Sequence, residues 1–340
     1  MKNSKKHVLF FLLIMILTLL SGCSCKTAAK NQKLVLNEVA HSIFYAPMYV
    51  AIENGYFKEE GIDLELVTGF GADKTMTAVL TDEADIGFMG SEASIYTYLQ
   101  GAADYPVNFA QLTQRAGNFL VARTQNDTFS WEDLKGANVL GGRKGGMPEM
   151  VFEYILKNHG IDPDTDLQID TSIAFGSTAA AFSGANPQDK NYPVYTVEFE
   201  PHATLLEKQG VGYIVASLGE DSGYVPYTAF CAKKSYIDEH PEQILAFTKA
   251  IQKGLEYVNA NSADSIANVI KPQFKETEFE TITTIVERYK NQDTWKNNTV
   301  FEEESFLLLE NILMDAGELE AYVPYEELVT TDFSKKAASK

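Results

Sequence analysis

Read for its polar and apolar positions alone, the chain opens with a lysine-bearing start (Lys2, Lys5, Lys6) and an apolar run over residues 8–20 that ends at Ser21-Gly22-Cys23. A helix needs roughly 20 residues to cross a hydrocarbon core, so a run of 13 reads as the hydrophobic region of an export signal and not as an anchor. From residue 33 onward, short β-rich runs alternate with helix-length amphipathic segments, the pattern of α/β units around mostly parallel sheets. Strands are predicted over 34–39, 63–68, 85–89 and 107–112, with helices over 46–55, 72–81 and 92–100 between them. Pro47 falls in the first turn of one helix and Gly101 just past the end of another, where each residue type is best tolerated. A second series follows, with strands over 118–123, 138–141, 167–173, 194–199 and 212–217 and helices over 131–135, 147–159, 178–182 and 201–209. Beyond residue 224 the pattern turns to long helices over 241–259, 262–270, 276–291 and 303–316. After Pro241, the residues Ile244, Leu245, Phe247, Ile251, Leu255 and Val258 recur at helical spacing and read as core. The last eight residues, with Lys335, Lys336 and Lys340, read as a frayed tail.

Composition narrows the class. Residues 1–22 carry three basic residues and no acidic ones, so removing them leaves 25 basic against 47 acidic residues, a net charge of −22 over 318 residues. A nucleic-acid partner needs a basic footprint to displace counterions, and the balance here runs the other way. The length exceeds what one growing core supports, so two domains are expected. Leu20-Ser21-Gly22-Cys23 resembles the bacterial lipobox, in which the cysteine thiol receives a diacylglyceryl group and cleavage makes that cysteine the first residue. Residues 1–22 then form a lipoprotein signal peptide, Cys23 carries the lipid, and 23–32 is a tether to a membrane surface, since two or more acyl chains anchor durably. An ordinary cleaved signal with an incidental cysteine is the other reading. Cys25 lies in the tether and Cys231 in the apolar run 229–232, where a free cysteine behaves as a small hydrophobe, so no disulfide between them is expected. There is no CxxC and no HExxH, and the five histidines are scattered, so neither a metal site nor any other cofactor is expected.

Three segments then carry a resemblance: Phe44-Tyr45-Ala46-Pro47-Met48-Tyr49-Val50-Ala51 with Glu53-Asn54-Gly55-Tyr56-Phe57-Lys58-Glu59-Glu60-Gly61-Ile62-Asp63, Ala84-Asp85-Ile86-Gly87 with Leu99-Gln100-Gly101, and Glu200-Pro201. Together they resemble the ABC-transporter substrate-binding proteins for sulfonates, taurine, nitrate and thiamine-pyrimidine precursors. The resemblance implies an α/β, two-lobed type II periplasmic-binding-protein fold with a ligand cleft between lobes, which delivers a small molecule to a membrane permease. It implies lobe one over 33–120, lobe two over 121–221, completion of lobe one with the C-terminal helices over 222–332, and a tail over 333–340. The crossings fall near 120–124 and 219–224. A monomer on the extracytoplasmic face of the membrane is expected.

In open α/β sheets a ligand sits beyond the C-terminal ends of the strands. That rule nominates Ser42, Phe44 and Tyr45 after the first strand, Ser91 and Glu92 after the third, and Gln114 and Arg115 after the fourth. In lobe two it nominates Arg143, Lys144 and Gly145 within Gly141-Gly142-Arg143-Lys144-Gly145-Gly146, and Glu198 and Glu200; Tyr227 borders the second crossing. The glycine-rich loop opens a helix at Pro148, so its N–H groups and the helix dipole suit an anion, or else it is a tight turn with two solvated cations. Met147 stands where a P-loop requires lysine, which disfavours a nucleotide. Phe44, Tyr45, Phe199, Tyr224 and Tyr227 offer stacking surfaces, and Glu92, Glu198 and Glu200 can accept hydrogen bonds from amino groups, which nitrate and simple sulfonates cannot donate. The mixture tilts the cargo toward an amino-bearing heteroaromatic such as a pyrimidine, with a sulfonate-type anion next.

Two other functions share the pattern. A pyrimidine synthase of thiamine biosynthesis resembles these binding proteins, but it is intracellular and carries a cysteine-rich iron-binding motif, whereas this chain has an export signal and one cysteine in its folded region. No Gly-x-Ser-x-Gly elbow supports a hydrolase. A ligand-sensing lipoprotein that signals without transport stays open.

Overall fold

The computed structural model describes residues 31–173 and 176–339, so the segment read as an export signal, Cys23 and Cys25 lie outside the described residues. The strands are β1 (Gln32–Glu38), β2 (Ile62–Thr68), β3 (Ile86–Met89), β4 (Pro106–Thr113), β5 (Asn118–Ala122), β6 (Asn138–Leu140), β7 (Gln168–Asp170), β8 (Tyr195–Phe199), β9 (Tyr213–Ser217) and β10 (Thr228–Lys233). They form two five-stranded sheets, ordered β2-β1-β3-β10-β4 and β7-β6-β8-β5-β9. The helices that bear on the site are α1 (Ala46–Glu53), α2 (Glu92–Leu99), α3 (Met147–Asn158), α4 (Thr178–Gly184), α5 (His202–Lys208), α6 (Pro241–Ala260), α7 (Ala263–Ile270), α8 (Phe279–Asn291), α9 (Glu303–Asp315) and α10 (Asp332–Ala338).

The sheets are mixed, not mostly parallel. β1 with β3, and β6 with β7 and β8, pair in parallel, whereas β10 runs antiparallel to β3 and β4, and β5 antiparallel to β8 and β9. The reversed strands are the two that follow a crossing between sheets. A strand arriving from the facing sheet enters at the end where its neighbours leave, so it must run against them. Because β5 already pairs with β8 and β9, the first crossing is residues 114–117 and not 120–124; the second spans 218–227. β10 was not anticipated, since four apolar residues between Pro226 and Lys233 show no period that separates a strand from a loop. It lies inside its sheet between β3 and β4, with Phe230 opposite both Phe88 and Ala110.

Burial explains that placement. Phe230 stacks on Phe88 at 4.2 Å and meets Phe247 of α6 edge-on at 5.1 Å, a geometry aromatic pairs favour. Cys231, on the same strand, is free and buried, and burial pushes its thiol up to about 12. Of residues 333–340, expected as a frayed tail, 333–338 belong to α10 instead. Phe333 and Ser334 are buried there, and the Ser334 hydroxyl donates to the carbonyls of Phe109 (2.7 Å) and Thr299 (3.0 Å). The C-terminal segment also reaches the second sheet: Lys157 of α3 donates to the carbonyl of Asp315 at 2.6 Å, which fixes the end of α9 there.

Candidate functional site

The facing strand ends bring residues from both sheets together around Phe44. Ser42 caps the turn at 43–45 by accepting the Phe44 N–H at 3.3 Å, and its hydroxyl donates across to the Glu200 carbonyl at 3.1 Å. The turn aims Phe44 into an aromatic cluster, with ring centroids at 5.2 Å from Tyr45, 5.8 Å from Phe199, 5.6 Å from Tyr227 and 5.3 Å from Tyr289. Trp295 fixes the turn by donating its indole N–H to the Phe44 carbonyl at 2.8 Å. Tyr224 does not join this cluster. It is exposed, lies under the Arg115 guanidinium at 4.4 Å and donates to Asp293 at 2.7 Å.

The three nominated carboxyls are all buried, two of them raised by that burial and the third paired. Glu92, at the start of α2, is 4% exposed. Burial pushes it up to about 7, against the pull of its own N–H, the Met147 N–H and the Arg143 charge. Its carboxylate lies over Gly90, where a Cβ would fall 2.1 Å from Oε2, so any larger residue displaces it. Oε2 is buried with no hydrogen-bond partner. Glu198 on β8 is also buried, and burial raises it to about 7 although the Thr196 hydroxyl donates to it at 2.7 Å. Glu200 is fully committed: it accepts the N–H (2.9 Å) and hydroxyl (2.7 Å) of Thr204 and the Arg288 guanidinium (2.9 Å).

The glycine-rich loop was expected to offer its N–H groups to an anion, and protein carboxylates already occupy two of them. Gly145 N–H donates to Glu149 Oε2 at 3.0 Å, and Met147 N–H, at the start of α3, bonds Glu92 from the other sheet. Arg143 and Lys144 are exposed. Of the remaining nominated residues, Ser91 donates to the Pro226 carbonyl at 2.8 Å, and Gln114 to the carbonyl of Asp293 at 3.1 Å. Arg115 donates to the Gly219 carbonyl at 3.0 Å. These three therefore tie the crossings through backbone carbonyls, while the Nε of Arg115 is buried without a hydrogen-bond partner. Tyr227 donates to Oδ1 of Asn118 at 2.6 Å, which brings a residue that sequence reasoning had passed over into the cluster. Asn118 opens a strand whose five residues are all buried, and a polar residue in such a strand was the available signal.

Residues 43–265 match the family described as NMT1/THI5 like. The chain belongs to that family. This NMT1/THI5-like chain is 45% identical over 317 residues to YtlA of Bacillus subtilis (strain 168), described as a binding protein, with 93% of each chain covered. It is 26% identical over 300 residues to the formylaminopyrimidine-binding protein of Halalkalibacterium halodurans, covering 82% of this chain and 85% of that one. The periplasmic nitrate-binding protein NrtA from Synechocystis PCC 6803 superposes with a TM-score of 0.71 at 16% identity, covering 90% of this chain and 88% of that one. The NMT1/THI5-like chain thus has the α/β, two-lobed type II periplasmic-binding-protein fold, and the two relatives named above are both described as binding proteins.

The raised carboxyls give a pH signature in the ligand-free protein. A group that ionises near 7 when folded and in the ordinary carboxylate range when unfolded stabilises the fold fully below that range and loses the contribution as pH rises through 7. His41 is raised chiefly by its hydrogen bond to Glu38, so it adds a loss of the same sign. The melting temperature should therefore fall from pH 5 to pH 8, and Glu92→Gln, which keeps a neutral side chain, should flatten the fall. Parallel pH curves for the two proteins would count against a protonated Glu92.

Proposed function

We propose that the chain is an extracytoplasmic solute-binding lipoprotein of an ABC importer, and that its cargo is an amino-bearing pyrimidine. Cys23 carries the lipid, 23–32 is the tether, and a monomer presents its loaded, closed form to the permease. The two lobes are the segments on either side of the crossings, and a ligand that touches both stabilises the closed form by its differential affinity.

One observation carries the cargo assignment. Glu92 Oε2 is buried and unpaired beside a wall of rings, while the N–H groups of Gly145 and Met147, which would suit a sulfonate or nitrate, are held by carboxylates. An unpaired buried acceptor calls for a donor, and an exocyclic amine on a flat ring supplies it while the rings take its faces. The likeness to a formylaminopyrimidine-binding protein points the same way.

A thermal-shift and calorimetry panel tests the assignment, using formylaminopyrimidine, 4-amino-5-hydroxymethyl-2-methylpyrimidine, taurine, an alkanesulfonate and nitrate. A ligand at 100 times its dissociation constant stabilises by about 2.7 kcal/mol, which a melting curve resolves. An aminopyrimidine should stabilise the protein and the anions should not. Stabilisation by an anion with silence from both pyrimidines would overturn the assignment.

A further inference from the structure

Glu92 Oε2 has a counterpart of opposite polarity. The amide Nδ2 of Asn118 is buried and has no hydrogen-bond partner, and Asn118 is fully enclosed. Its orientation is set by Tyr227, whose hydroxyl donates to Oδ1 at 2.6 Å, so the carbonyl side is taken and the two N–H donors face away from Tyr227. A buried donor or acceptor left unpaired destabilises the fold, a cost the folded chain carries for both atoms until something supplies partners.

The two orphaned atoms belong to one neighbourhood. Asn118 pairs across the sheet with Phe199, which flanks Phe44, and Tyr227 meets Phe44 edge-on at 5.6 Å. The Glu92 charge acts on the hydroxyls of both Tyr45 and Tyr227, which burial and that charge push up. An acceptor from the first sheet and a donor from the second thus border the same group of rings.

We infer that Asn118 is a specificity-determining residue whose Nδ2 donates to a ring nitrogen of the cargo while Glu92 Oε2 accepts from the adjacent exocyclic amine, so that the site reads the amino-and-ring-nitrogen edge of an aminopyrimidine. This deepens the proposed function and rests on it. A 4-oxo pyrimidine presents a carbonyl and a ring N–H on the same edge, which reverses both polarities. A protonated Glu92 could donate to that carbonyl, but the ring N–H would still face the Asn118 donors. Discrimination at the ring position therefore belongs to Asn118 at any protonation state of Glu92. The contact also joins the lobes, because Asn118 lies in the second sheet and Glu92 follows a strand of the first.

Calorimetry with 4-amino-5-hydroxymethyl-2-methylpyrimidine and its 4-oxo counterpart tests this. The wild-type chain should prefer the amino compound by about 100-fold or more, since a site built around polar atoms rejects the ligand that leaves them unpaired. Asn118→Asp keeps the shape and replaces the donor with an acceptor, and should shrink that ratio by at least about tenfold. Tyr227→Phe keeps the ring and frees the amide, and should shrink it in the same direction by less. If Asn118→Asp fails to fold, Asn118→Ser and Tyr227→Phe carry the test. Equal losses for both ligands, or an unchanged ratio in folded variants, overturn the role of Asn118 while leaving the cargo class intact. A wild-type chain that binds neither pyrimidine overturns the cargo class and this inference with it.

Discussion

Gly254→Ala is expected to destabilise the chain by about 1–3 kcal/mol or to prevent folding, although alanine is the better helix former by about 1 kcal/mol. Gly254 lies within α6, and a Cβ there would sit 2.1 Å from the Pro47 carbonyl oxygen and 3.1 Å from its carbon. Both atoms are backbone in the first turn of α1, so no side chain can rotate away and one helix must retreat from the other. The retreat would not stay local. α1 follows directly on the turn that places Ser42, Phe44 and Tyr45, so the aromatic cluster should shift and affinity should fall along with stability. Urea unfolding of the variant beside wild type measures the first effect, and calorimetry with 4-amino-5-hydroxymethyl-2-methylpyrimidine, a form of the proposed cargo, the second. A variant as stable as wild type would show that the two helices do not approach this closely.

Arg288→Ala is the second large expected effect, a loss of about 3 kcal/mol, the lower part of the range for stripping a partner from a buried charge. Arg288 on α8 packs with α7 and the turn at 43–45, whereas its partners Glu200 and Glu207 belong to the β8–α5 segment of the second sheet. The Glu200 side chain is inaccessible, so removing the guanidinium leaves a buried carboxylate held by Thr204 alone. The pair spans the lobes. The variant should therefore melt earlier and also show a larger radius of gyration in solution. A double variant, Arg288→Met with Glu200→Gln, should recover most of the stability, because a buried ion pair replaced on both sides costs little. Recovery of stability without recovery of compactness would separate the two roles; no loss in the single variant would mean that Thr204 alone suffices for Glu200.

The contrast between Phe44 and Arg115 shows how much of the site was legible. Strand ends were readable from the alternation of apolar runs, and the rule that ligands sit beyond them nominated the turn around Phe44 and the start of α2, which the structure brings close together. Where a long polar side chain turns once it leaves a strand depends on what crosses nearby, and Gln114 and Arg115 found backbone carbonyls of the crossings. The glycine-rich loop shows the same limit at longer range. That Glu149 answers the Gly145 N–H is a local matter, one helical turn away, and could have been anticipated. That Glu92 answers Met147 depends on two sheets meeting. β10 and α10 were missed for want of periodicity: each is short, and each is held by neighbours far away in sequence.

The position of β10 also orders assembly. All five strands of the second sheet lie between Asn118 and Ser217, so that sheet can close as soon as this stretch of chain exists. The first sheet cannot. Its strands β3 and β4 are made early but stay apart until β10 is inserted between them, with Cys231 opposite Asn108 across more than a hundred intervening residues. Such distant pairings form slowly and leave strand edges open in the meantime. The half of the protein that is synthesised first is therefore the half that finishes last, with the facing edges of β3 and β4 open in the interval.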